Sequence, residues 1–119
     1  MNSSPKIAIT MGDPAGIGPE IVLRACEALA SEDLHPIVVG DPNHLETIAT
    51  NLHLRTPKEI LECGCVDPAL EPGRPRAIDG RMALQCIITG ADLAASGDSA
   101  ALVTAPVSKY VIAATEPGF

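Results

Sequence analysis

Ile7-Ala-Ile-Thr-Met-Gly-Asp-Pro-Ala-Gly-Ile-Gly-Pro-Glu-Ile21 carries an apolar strand through a glycine-bearing turn into the opening of a helix. Residues 6–11 are short and apolar, with a β-branched side chain at alternate positions, which is the pattern of a strand. Gly12, Gly16 and Gly18 allow positive φ and close approach of the backbone to a ligand. Pro19 suits the first helical position, where its missing N–H costs nothing. Behind it Val22, Ala25, Cys26 and Leu29 share one stripe, and Glu20, Arg24 and Glu27 face elsewhere. That spacing belongs to an amphipathic helix covering a sheet, so strand, turn and helix make half of a βαβ unit.

The turn fits neither familiar nucleotide motif. A P-loop closes on Gly-Lys-Ser/Thr, whereas this helix opens with Gly18-Pro19-Glu20 and no lysine lies between Lys6 and Lys58. The Rossmann fingerprint needs Gly or Ala three residues after Gly18, and that position is Ile21. A helix N-terminus attracts anions, but Asp13 and Glu20 add negative charge here and oppose a bare phosphate. The loop suits hydroxyls, an amide or a cationic ring; the competing reading is a tight strand-to-helix turn.

Outward from this segment the chain alternates. The spacing predicts a helix over 19–31, a strand over 36–40, a helix over 42–52 and a weak strand near 60–63. Pro68, Pro72 and Pro75, with Gly64 and Gly73, mark an irregular connection. Asp79 is the expected cap of a helix reaching Ser96, whose buried stripe is Ala83, Cys86, Ile87, Gly90, Leu93 and Ala94. Gly90 costs that helix ~1 kcal/mol unless close packing requires it. Gly97-Asp98 ends it, and the continuous apolar run over 100–105 suits a central parallel strand. No internal repeat or low-complexity stretch interrupts the pattern. The expected fold class is α/β, with a mostly parallel sheet and helices on both faces.

In such sheets ligands bind beyond the carboxyl ends of the strands. The glycine turn follows the first strand and Thr104-Ala-Pro-Val-Ser-Lys109 follows the last, so both fall on the same edge and are expected to line one crevice. Thr104 offers a hydroxyl, Pro106 stiffens the turn, Ser108 caps a short helix, and Lys109 supplies the positive charge that the first loop lacks. For Ser108 and Lys109 the competing readings are a plain N-cap and a solvated lysine.

Composition narrows the class. The 119 residues suffice for one small segment with its own core, and a second domain does not fit. The hydrophobic fraction is 46%, with one Phe, one Tyr and no Trp, so the core is built from small aliphatic side chains. A net charge of −7 without a Lys/Arg cluster argues against nucleic acid or an anionic membrane as partner. No run approaches the ~20 apolar residues of a membrane span, and the polar opening Met1-Asn-Ser-Ser-Pro5 is no signal peptide, so a cytoplasmic location is expected. Asn2-Ser3-Ser4 matches the glycosylation pattern only formally. Cys26 and Cys86 fall on helical stripes and read as reduced core residues. Cys63-Gly64-Cys65 lacks the spacer of a zinc knuckle.

Thr10-Met-Gly-Asp-Pro-Ala-Gly-Ile-Gly-Pro-Glu20 resembles the opening motif of the 4-hydroxythreonine-4-phosphate dehydrogenase family, and Ala101-Leu-Val-Thr-Ala-Pro-Val-Ser-Lys109 resembles its next motif. A related Gly-Asp-Gly-Ile-Gly-Pro-Glu run is similar in isocitrate and isopropylmalate dehydrogenases, which share the fold. The resemblance spans nearly the whole chain, with residues 46–76 matching only in general character, and implies the N-terminal part of a longer enzyme. It implies NAD- or NADP-dependent oxidation of a secondary alcohol in a small phosphorylated hydroxy acid, followed by decarboxylation, in pyridoxine biosynthesis. A divalent ion such as Zn, Mg or Co would lower the pKa of the alcohol and stabilise the enolate. The nicotinamide would take the hydride. On this resemblance Asp13, Gly16 and Gly18 are the expected cofactor-binding residues, Thr104 and Lys109 the expected substrate-binding residues, and the full-length protein is expected to be a homodimer.

Similar enzymes hold the metal with three histidines beyond the matched region. His35, His44 and His53 fall in no family metal motif and read as solvated or capping residues, so neither catalytic nor metal-ligating residues are assigned to this chain. Family members also continue past Glu116-Pro-Gly-Phe119 into a Gly-His-Thr-Glu segment that contacts substrate. The chain is therefore expected to be inactive alone. The alternatives are a related threonate or erythronate 4-phosphate dehydrogenase, or a non-catalytic α/β remnant that binds only a nucleotide or a partner chain.

Overall fold

In a computed structural model the chain forms four parallel strands and four helices, described for residues 4–116 and 118. The expectations resting on Met1 to Ser3, Pro117 and Phe119 lie outside the described residues. In chain order the elements are β1 (Lys6–Thr10), α1 (Gly18–Ala28) running into a 3-10 turn (Leu29–Ser31), and β2 (His35–Gly40). Then follow α2 (Pro42–Leu52), β3 (Ile60–Glu62), α3 (Ala77–Ser96), β4 (Ala101–Thr104) and α4 (Lys109–Thr115). The strands lie in the order β3-β2-β1-β4, with Ala8 opposite both Ile37 and Leu102, and Val38 opposite Ile60.

Alternation along the central strands distributes side chains to two buried faces. Ile9, Met11 and Val38 pack with Val22 and Leu23 of α1 and Leu45 and Ala49 of α2. Val39 joins Cys63 and Cys86 of α3 in a second cluster, with Met82 and Leu93 against it. The α/β architecture with helices on both faces is thus present, and the apolar runs of β1 and β2 reflect strands covered twice. Each strand-to-strand connection that carries a helix joins parallel strands, which orients every strand's carboxyl end toward one edge.

Three expectations are corrected. Asp79 is not the cap of α3; Arg76 holds that position, and Asp79, in the first turn, reaches back to accept from the Arg76 backbone N–H at 2.9 Å. The last strand is not central: β4 pairs only with β1 among the described strands, and Ala101, Val103 and Thr104 are exposed. Its apolar run reads as central because sequence reports hydrophobicity, not which side of the strand is paired. Leu23 falls outside the expected stripe of α1 yet is fully buried. The Gly90 condition is met, since a Cβ there would lie 2.7 Å from Leu102 Cδ1 and 3.0 Å from Thr10 Cγ2.

Candidate active site

The loops that leave the strands converge on the carboxyl edge of the sheet. β1 ends at Thr10, and Met11 extends the ladder by one more bond, donating to the Val39 carbonyl at 2.9 Å. The chain then turns at Gly12, where φ is 81° and a Cβ would lie 2.7 Å from the Pro106 carbonyl oxygen. Asp13 N–H donates to that same oxygen at 3.1 Å, and Ala105 N–H donates to the Thr10 carbonyl at 3.3 Å. The first and last loops therefore form one continuous wall. They do not face each other across a crevice, because β1 and β4 are direct neighbours.

Asp13 is 4% exposed and its Oδ1 accepts from Ala15 N–H at 2.9 Å, a local turn that Asp favours because its short side chain reaches the backbone two residues on. Burial pushes its carboxyl above the usual value, Ala15 N–H pulls it back, and nearby Asp79 adds to the rise. Gly18 is buried, and a Cβ there would lie 2.5 Å from the Met11 carbonyl oxygen, so its glycine is dictated by internal packing. Gly16 is exposed, and an added Cβ would meet nothing closer than 3.5 Å. Of the three expected glycine contributions, only Gly12 uses positive φ.

Glu20 is exposed and pairs with Arg24 at 2.9 Å. Ile17 and Ile21, one helical turn apart, are exposed beside Gly16 and give the rim an apolar edge. On the last loop, Thr104 is exposed at the end of β4 opposite Thr10. Ser108 caps α4 through a 3.3 Å acceptance from Val111 N–H, and Lys109, the first residue of that helix, is exposed. Thr104 and Lys109 thus belong to the same edge as Gly16.

Sequence reasoning did not single out Asp41, which follows β2. Its Oδ1 caps α2, accepting from Asn43 N–H at 2.9 Å and His44 N–H at 3.4 Å, and its Oδ2 accepts from Val66 N–H at 2.8 Å. An Asp immediately before a helix-opening Pro was the available signal. The connection from β3 to α3 is tied across the same edge. Gly73 N–H donates to the Ala15 carbonyl at 2.7 Å, and Arg76 pairs with Asp79 at 3.4 Å and Asp67 at 3.6 Å. A cleft of about 260 Å³ opens there, lined by Cys63, Cys65, Asp79, Arg81 and Gln85 among others. A hollow of about 200 Å³ lies at the other edge of the sheet, by His35 and Pro36.

The histidines do not assemble. His35 Nε2 meets Glu59, and His53 closes α2 in the left-handed region at φ 57°. His44 departs from the solvated reading: its Nε2 is buried and has no hydrogen-bond partner among the described residues. Burial lowers its pKa, while Asp41, the Pro14 carbonyl and Asp79 oppose that change. Among the described residues no group of three His, Cys, Asp or Glu side chains is placed to hold a metal ion. All four cysteines are free thiols. Among the described residues no helix is long and apolar enough to cross a membrane.

Comparison with known proteins agrees with this frame. The family model described as pyridoxal phosphate biosynthetic protein PdxA matches residues 32–119. A 4-hydroxythreonine-4-phosphate dehydrogenase of Methylorubrum extorquens is 34% identical over 95% of this chain and 37% of its own length. A Bradyrhizobium diazoefficiens protein, named by inference as a D-threonate 4-phosphate dehydrogenase, is 35% identical over 92% of this chain and 37% of its own. The crystal structure of a 4-hydroxythreonine-4-phosphate dehydrogenase from Burkholderia phymatum superposes with a TM-score of 0.85 at 29% identity, covering 99% of this chain and 42% of that one. The chain spans about 37% of the length of the curated relatives it matches. It carries part of their fold, and it belongs to the PdxA family of pyridoxal phosphate biosynthetic proteins.

Proposed function

We propose that this chain is the N-terminal part of an NAD(P)-dependent oxidoreductase that oxidises 4-hydroxythreonine 4-phosphate, acting as a cytoplasmic homodimer in its full-length form. The observation that carries the reading is the joined wall on the carboxyl edge, where Asp13 N–H bonds to the Pro106 carbonyl in a chain of this family. Gly16 leaves room that the protein's own packing does not use, which supports close approach of the cofactor there. Asp13 and Gly18 support that approach by holding the turn, Asp13 through Ala15 N–H and Gly18 by letting the helix start against Met11. Thr104 and Lys109 face the substrate, the hydroxyl orienting it and the ammonium group drawing its phosphate as a point charge. The nicotinamide, when bound, accepts the hydride. The metal ligands and the remaining substrate contacts come from outside these residues.

The D-threonate 4-phosphate reading is the second one, favoured by the 35% identity of the Bradyrhizobium relative. The two substrates share a phosphorylated four-carbon skeleton, so the wall described here serves either. Following NADH and NADPH formation by the full-length protein, with each substrate and added divalent ions, separates them. Turnover with neither substrate and neither cofactor overturns the proposal. Lys109→Ala is expected to raise KM for the phosphorylated substrate by roughly tenfold or more while leaving KM for the cofactor nearly unchanged, the loss of one charge-assisted contact. Equal effects on both remove the role assigned to Lys109.

A further inference from the structure

Cys63-Gly64-Cys65 takes no part in the wall described above, yet it stands at the mouth of the cleft on the same edge. Cys63 and Cys65 both line that cleft. Cys65 is exposed, Cys63 is 7% exposed, and Gly64 between them has φ of 79°, a left-handed turn that only glycine adopts without strain. An added Cβ at Gly64 would meet only Met82 Cγ, at 3.9 Å, so internal packing does not require the glycine. Cys63 Sγ sits 3.4 Å from Thr89 Oγ1 on α3, and Cys86 packs beneath it in the same cluster, its Sγ 3.8 Å from the Cys63 carbonyl oxygen.

We propose that Cys63 and Cys65 form a site of reversible thiol oxidation that takes low-molecular-weight disulfides of the glutathione type. The exposed Cys65 thiolate attacks one sulfur of the disulfide, forming a mixed disulfide and releasing one thiolate. Cys63, deprotonated, then attacks Cys65 Sγ, forming the Cys63–Cys65 bond and expelling the second thiolate. Two protons leave the protein thiols, and the two electrons end on the small disulfide, now two free thiols. Thiol–disulfide exchange proceeds by this route, and the exposed member of a pair is the one that starts it.

The order of attack follows from burial. Cys86 is fully buried, and desolvation, reinforced by neighbouring Cys63, holds its thiol far above the usual range, so it is a poor nucleophile. Cys63 is buried as well, but it lines the cleft beside the exposed Cys65. A bridge across residues two apart closes a small loop and gains little from chain entropy, so it is readily reduced again. Such labile bonds suit a reducing compartment better than structural disulfides do.

The test uses the full-length protein, incubated in native buffer with oxidised glutathione, quenched with an alkylating reagent and mapped by peptide mass spectrometry. The expected product is a peptide carrying a Cys63–Cys65 bond, with Cys86 alkylated only after denaturation and the bond lost on adding reduced glutathione. Cys65→Ser, an exposed change that spares the core, is expected to lower internal disulfide formation by more than about tenfold. Cys86→Ser is expected to leave the bond in place. The proposal is overturned if Cys65 stops at a stable mixed disulfide, if it does not react, or if Cys65→Ser oxidises internally as fast as the parent. None of these readouts depends on dehydrogenase turnover, so they stand apart from the substrate assignment.

Discussion

At Gly12 an added methyl group would lie 2.7 Å from the Pro106 carbonyl oxygen while φ stands at 81°. The neighbouring oxygen is backbone, already bonded to Asp13 N–H, and cannot swing away. Gly12→Ala is therefore expected to destabilise the protein by about 2–4 kcal/mol, from left-handed strain and overpacking together. Gly16→Ala meets no such contact and is expected to leave the urea midpoint unchanged. If cofactor approaches Gly16, the same variant raises the KM for NAD(P). Equal stability losses for the two variants would refute the division of roles.

Asp13 answers to a different constraint, since its carboxyl is buried and its pKa is raised above 3.8. A raised acid pKa means that the folded state holds its proton more tightly than the unfolded chain does. The stability this group contributes is full below pH 3.8 and is lost as pH rises through the folded value. Asn at this position keeps an oxygen for Ala15 N–H and carries no charge. Asp13→Asn is thus expected to melt higher than the parent at pH 7, with the difference shrinking as pH falls through the raised folded value and gone below 3.8. A lower melting temperature at pH 7 would show that the charge stabilises the turn.

Among the elements, α2 depends most visibly on a single side chain. Asp41 satisfies two amide donors at the start of the helix and a third, Val66, from the connection beyond β3. Asp41→Ala is expected to cost about 2–3 kcal/mol, the loss of a helix cap plus a buried tie. Faster hydrogen exchange at both Asn43 and Val66 amides checks it, and unchanged protection at Val66 would show that the tie contributes nothing. The helix itself, though not its Asp41 cap, was legible in the sequence, with both boundaries at Pro42 and Leu52, because a proline start and an apolar period are local signals. The tie to Val66 was not, and neither was the bond from Gly73 to Ala15, since each partner is chosen by the packed connection and leaves no periodic trace. Asp79 was found as a capping residue but set at the wrong position, because a side chain reaching back from the first turn has the same composition as one at the cap. The two motif loops were correctly assigned to one sheet edge. Their direct bond was not visible, since pairing of the first strand with the last is a long-range choice.

At the scale of the whole molecule, the described strands leave β3 and β4 at the two edges of the sheet, and the edges differ in kind. β3 is three residues long and ends in Glu62, a short, charged edge of the sort that resists further pairing. β4 offers Ala101, Leu102, Val103 and Thr104, apolar for most of its length, with Val103 51% exposed. Ile88 of α3 and Tyr110 of α4 add exposed apolar surface, at 46% and 86%. An apolar strand paired on one side only, among the described strands, is a template for another chain. The 119-residue chain expressed by itself is therefore expected to associate with rising concentration and to show no dehydrogenase turnover. Val103→Lys places a charge on an exposed position of the strand without touching the packing of Leu102 against Gly90, so it should shift sedimentation toward monomer while preserving the circular dichroism of the fold. A parent chain that stays monomeric at every concentration would show that the β4 edge is protected by its own twist and shortness. Turnover by this chain with added metal would mean that a metal site can assemble from side chains that the fold holds apart.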